Sequence, residues 1–256
     1  MICEWIVGRL LGFFVLVIAA GFGKDLAAAV LVDCLEEGLL GQQGDTKNQA
    51  LRRTWLELKA WCKLHRVLCP PRVFFMNYLG RSQSNKAFPC IESAVKGAHM
   101  RPILGFLADL TRTHDVPGCS EEARLRAALC WATADFLYML DTGGRWLDRP
   151  FAMRGWEAGA TMLLAYQQLA AIAQAEGRSN YKLRPKAHGV AHAVDQLSVA
   201  GAVENPRMWQ VFNEEDFIGK ISTIAGKCSI RTVMSRLIQR YTLQLARKWP
   251  TRDGQA

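Results

Sequence analysis

Apolar residues recur along this chain every three or four positions, the period of a helix with one buried face. Over residues 24–40 the pattern runs through Leu26, Val30, Leu31, Cys34 and Leu35, and Gly38 and Gly41 close it. A polar stretch, GQQGDTKNQ, leads into a second helical pattern through Leu51, Trp55, Leu58, Trp61, Cys62 and Leu68, which Pro70 and Pro71 end. Residues 70–100, rich in Pro, Gly, Ser and Asn, read as one long irregular connection. A third helix is predicted over residues 102–114, with Pro102 in its first turn, where a missing N–H costs nothing.

Ser120, followed by Glu121 and Glu122, has the form of an N-cap with acids on the positive end of a helix. Ala127, Cys130, Trp131, Ala134, Phe136, Leu137 and Leu140 then form an apolar face that Gly143 and Gly144 terminate. A long helix over residues 151–174 follows, with Trp156, Ala160, Leu163, Leu164, Tyr166, Leu169 and Ile172 as its face. Shorter helices are predicted from Pro185, over residues 212–220, and over residues 229–249. No sustained alternation of apolar and polar residues is flanked by hairpin turns. The expected fold is all-α, an irregular multi-helix globular bundle with short loops and the one long connection.

Composition narrows the class without changing this picture. Half of the 256 residues are hydrophobic and 21% are charged, which excludes wholesale disorder. The 21 Gly and 9 Pro follow no Gly-X-Y period, which excludes a collagen-like chain. Charge is more telling through its placement. Residues 1–177 carry 19 Lys+Arg against 17 Asp+Glu, a net of +2, whereas residues 178–256 carry 13 against 6, a net of +7. The chain therefore reads as an apolar N-terminal segment (1–23), a helical body (24–177) and a basic C-terminal helical region (178–256) packed on the body. A regional basic excess suits nucleic acid, an anionic membrane surface or an acidic partner, or serves solubility alone.

The fourteen uncharged residues 10–23, LLGFFVLVIAAGFG, fall short of the roughly 20 needed to span a bilayer, and Lys24 and Asp25 stop them. They read as a buried helix or the truncated start of a longer product, with a signal or membrane anchor as the competing reading. The eight cysteines are scattered and form no CxxC pair, which points to a reducing, intracellular location in nucleus or cytoplasm. Cys62-x2-His65-x3-Cys69 is the nearest approach to a metal spacing, and no second ligand pair completes it.

Candidate chemistry gathers in the last third. In KLRPKAHGVAHAVDQL, His188, His192 and Asp195 fall at i, i+4 and i+7 of one helix, placing two imidazoles and a carboxylate on one face. Such a face suits a divalent metal or proton transfer, and equally two ordinary partly buried histidines. Glu214, Glu215 and Asp216 would occupy the first turn of the helix after NPRMW, as further metal ligands or catalytic acids, or simply as an acidic helix start. On the final helix Arg236, Arg240 and Arg247 share a face, with Arg231 and Lys248 nearby, a pattern that grips phosphates without reading sequence.

The series RPKxHxxxH, NPR, FxxEDFxGK and a basic helix containing RY resembles a multicopy protein family of dinoflagellate algae, to which no activity is attached. WLELKAWCKL (55–64), GRW (144–146) and AYQQLA (165–170) extend that likeness over most of the chain. More loosely, the last third is similar to the C-terminal region of eukaryotic DNA-transposon proteins with an RNase-H-like nuclease. In that pattern an acid directly after the Phe is a metal ligand, but here Asn213 follows Phe212 and Glu214 lies one step on. The strand-borne aspartates of two-metal catalysis are also missing upstream. The resemblance thus implies a mobile-element-derived helical protein that binds nucleic acid non-specifically through its basic third, without catalysis. A metal-dependent hydrolase or nuclease, and a membrane-associated or scaffold protein using residues 1–23, are the alternatives.

Overall fold

The computed structural model describes residues 21–71, 73–80, 88–91, 97–183 and 185–209, together with Arg236, Ile238, Gln239 and Leu243. The chain divides into two compact units, residues 1–210 and 211–256. Among the described residues the first unit has six α-helices: α1 (Gly23–Glu36), α2 (Lys47–His65), α3 (Gly97–Arg112), α4 (Glu121–Thr142), α5 (Arg149–Ala175) and α6 (Pro185–Leu197). Two residue pairs, β1 (Trp146–Leu147) and β2 (Val203–Glu204), join antiparallel, and a 3₁₀ turn covers Pro206–Trp209. The described residues of the second unit are all helical. The fold is all-α.

Local signals explain the ends. Thr46 caps α2 in a reciprocal box with Gln49, Ser120 accepts the Ala123 N–H at 3.1 Å to start α4, and Asp148 accepts the Phe151 N–H at 2.9 Å to start α5. Pro102 is not in a first turn, because α3 begins five residues earlier, so the proline sits inside the helix. Leu68, expected on the α2 face, lies beyond the end of α2 at His65 and is exposed.

Helix α1 is buried on every side from Gly23 to Leu35, Lys24 and Asp25 included. The two charges that were expected to end the apolar segment are thus part of a central helix. An all-round buried helix needs small side chains, and AAAVLV supplies them. Helices α3 and α2 pack on α1, α4 packs between α3 and α5, and α6 lies against α5. Among the described residues no helix is long and apolar enough to cross a membrane.

The faces of α4 and α5 differ from the expected stripes in an instructive way. Trp131 and Leu164 are both 57% exposed. Of the expected faces, Ala127, Cys130, Phe136, Leu137 and Leu140 on α4 and Tyr166 and Leu169 on α5 are buried; Ala123, Leu129 and Ala132 join them on α4, and Ala152, Gly155, Ala158, Gly159, Met162 and Ala165 on α5. Small residues let the helix backbones approach closely. At Gly159 the approach is tightest: a Cβ there would stand 2.4 Å from Val194 Cγ2 of α6 and 3.2 Å from Phe136 Cε2 of α4. Val194 is β-branched and cannot swing aside.

Gly159→Ala should therefore destabilise by about 1–2 kcal/mol even though alanine is the better helix former. Adding Val194→Ala should recover part of that loss. Urea unfolding of the two single variants and the double variant measures the coupling; equal stability of Gly159→Ala and the parent would contradict the packing.

Candidate functional site

The most concentrated chemistry of the described residues is internal and centres on Asp33. This residue lies near the C-terminal end of α1 with its side chain wholly buried. The chain reaches it from the far end of α5. There Gly177, at φ +69°, takes the left-handed conformation that turns the helix off. The Arg178 N–H bonds the Ala173 carbonyl at 2.8 Å and the Gly177 N–H bonds the Gln174 carbonyl at 3.1 Å, the paired bonds of a Schellman ending. That ending directs the next residues back onto α1.

Three of them converge on one carboxylate. Arg178 donates to Asp33 Oδ1 at 2.9 Å, Tyr181 donates its hydroxyl to Oδ2 at 2.6 Å, and the Asn180 amide donates to Oδ1 as well. From α4 comes Arg126, whose side chain is 2% exposed; it forms a two-pronged pair with Glu37 and lies 3.8 Å from Asp33 Oδ2. Arg178 also bonds Glu122 and Glu176, each at 2.6 Å. Two guanidinium groups and four carboxylates thus tie α1, α4 and the end of α5 together.

Burial pushes the Asp33 carboxyl above its ordinary range, although Tyr181, Arg178, Arg126 and Asn180 all favour the anion. Burial, and then the Asp33 charge, raise the Tyr181 phenol well above its usual value. Burial likewise lifts the thiols of Cys34 and Cys130 to about 12, and that of Cys62 to about 11 with help from Cys69, so none of the three is an activated nucleophile. The donors and acceptors of this cluster are spent on one another, which makes it a fastening of α1, α4 and the end of α5.

A second fastening explains two motifs. Asn205, fully buried, donates from Nδ2 to the carbonyls of Leu140 (2.9 Å), Gly144 (3.1 Å) and Gly143 (3.2 Å), filling the C-terminal end of α4. Its Oδ1 accepts the Arg207 N–H at 2.9 Å, and Arg207 reaches the Asp141 backbone carbonyl. GRW supplies the partner strand, through the pairing of Trp146 with Glu204, while Arg145 Nε contacts Glu204 at 3.1 Å. NPR and GRW are therefore the two halves of one junction.

The residues singled out by sequence fare differently. His188 and His192 do meet on α6, Nε2 to Nε2 at 2.9 Å with rings 4.3 Å apart, and both are exposed. One nitrogen must carry the proton and the other accept it. Asp195 is exposed on the same helix. His65 stacks on Trp61, with ring centres 4.1 Å apart, while Cys62 is buried. Among the described residues no group of three or more His, Cys, Asp or Glu is placed to hold a metal. Arg236 is helical and exposed. Glu214, Glu215, Asp216, Arg231, Arg240, Arg247 and Lys248 lie outside the described residues.

The Asp33 cluster was missed, though the sequence carries a signal for it. Asp33 interrupts AAAVLVDCL and Arg126 interrupts RLRAALC, and a charge inside an apolar helical run must find a partner. What the architecture defines is an all-α body closed by two buried polar fastenings. Compared with protein-family models, curated proteins and solved structures, the chain finds no match in any of the three.

Breaking the Asp33 cluster has a predictable cost. Arg126→Met removes the two-pronged bond to Glu37 and one of the two cations beside Asp33, and should destabilise by about 1–3 kcal/mol in urea titration. The pH dependence has a definite sign. Because folding raises the Asp33 value, its protonated form contributes stability that is complete below about pH 4 and is lost as pH rises through the folded value. Asp33→Asn removes that titration, so the stability of the parent relative to Asp33→Asn should be greater at pH 4 than at pH 7. A gap that widens toward neutral pH would show that the arginines hold the carboxyl below its ordinary value instead.

Proposed function

We propose that the protein binds nucleic acid non-specifically through its basic C-terminal third, without catalysing a reaction on it, and that it derives from a mobile element. The observation that carries the binding reading is a one-sided charge distribution. Residues 217–252 contain eight Lys or Arg and no Asp or Glu. Arg236 and Leu243, seven residues apart and so on one helical face, are both exposed. On the helix expected from the sequence over residues 229–249, the i+4 and i+11 spacing of Arg240 and Arg247 would put them on the face of Arg236.

A row of cations on an accessible face suits a phosphate backbone, where affinity comes from releasing condensed counterions and carries no base information. Arginine suits this role because its fork meets phosphate oxygens two at a time. The mobile-element origin rests on the motif series alone. Arg207, of NPR, is engaged with Asp141 and leaves that motif a packing role.

Retention on duplex DNA should fall linearly in log–log form with salt. The variant Arg236→Gln/Arg240→Gln/Arg247→Gln should flatten that slope by about 3, one counterion for each lost phosphate contact. Binding that is indifferent to salt, or a slope the triple variant leaves unchanged, would overturn the reading.

A further inference from the structure

An open cleft of about 330 Å³ lies where the end of α3 meets the start of α4, and its lining shares no residue with either fastening. Its two ends differ in chemistry. At the loop end stand Arg112, in the last turn of α3, and Arg124, in the first turns of α4. Trp131 lies two turns further along α4, about 10 Å away at 1.5 Å per residue, and is 57% exposed. Between them the floor is alanine, including Ala127. Arg124, Ala127 and Trp131 fall at i, i+3 and i+7, so one face of α4 carries a cation, a flat floor and an aromatic plate in that order.

The acids of the cleft are partly committed. Asp109 accepts the Trp61 indole N–H at 2.8 Å and pairs with Arg112 at 3.6 Å. Asp115 accepts the Cys119 thiol at 3.6 Å and keeps further acceptor capacity. Among the described residues Arg124 makes no ion pair and is exposed, so it is the open cation of the site.

We infer that this cleft binds a nucleotide, as a free mononucleotide or as an unpaired unit of a single strand, with the base on Trp131 and the phosphate on Arg124 and Arg112. The order of groups selects this ligand class. A large exposed indole over a floor too small to cover it is a stacking plate, and any base offers it a π-face. The ring-to-phosphate length of a nucleotide, extended by an arginine side chain, covers the distance to the cationic end. The volume lies at the lower end of small-molecule sites and admits one such unit. Asp115 is left to accept a hydrogen bond from a base amino or sugar hydroxyl group.

The test is calorimetric titration of the full chain with AMP, adenosine and single-stranded oligo(dA), at low salt. AMP should bind saturably, and Trp131→Ala should weaken it about tenfold, the loss of one base stack. Arg124→Gln should weaken AMP by a similar factor and leave adenosine unchanged. Both side chains are exposed, so circular dichroism and melting should match the parent. If AMP fails and oligo(dA) binds in a Trp131-dependent manner, the ligand is the unpaired unit of a strand. Binding of neither ligand, or binding that Trp131→Ala leaves intact, overturns the inference. Arg236→Gln/Arg240→Gln/Arg247→Gln should leave AMP binding unchanged, so failure of the duplex-binding reading is seen separately.

Discussion

The rest of the structure depends on a carboxylate that has no access to water. Asp33 sits on a helix buried all round, where an isolated charge would cost several kcal/mol, and the chain answers with donors from two distant segments. The ends of α1, α4 and α5 are held in one arrangement because only that arrangement satisfies the carboxylate.

Small residues do the complementary work. Alanine and glycine recur along the buried face of α5, and Gly159 lets its backbone close on Phe136 of α4 and Val194 of α6. Trp131 and Leu164 lie on the surface although both recur at core spacing. Alanine also forms the floor of the cleft beside the exposed Trp131.

How legible this was in the sequence follows from the range of the forces involved. Helix existence, the Ser120 cap and the Gly143 end were readable because periodicity and capping act within one or two turns. Which side of α4 faces inward was only half readable, since Trp131 and Leu137 both sit in the expected apolar stripe and only Leu137 is covered, a choice that packing with neighbouring helices makes. The Asp33 cluster joins residues about 90 to 150 apart, which no local pattern encodes, although the lone charges in apolar runs mark its two ends. The histidine pair was legible at i and i+4. Its companions were not, because exposed Asp195 is drawn to neither ring by any desolvation.

The Asp33 cluster also shapes the order of assembly. The α4–α5 hairpin closes through a loop of a few residues and can form early, as local contacts do. Tyr181 and Asp33 are 148 positions apart, and joining chain ends over that span costs about 4 kcal/mol in loop entropy by (3/2)RT ln n. The same contact also takes the carboxylate and its guanidinium partners out of water. Chain closure and dehydration are therefore two costs that the bonds of one cluster must offset together.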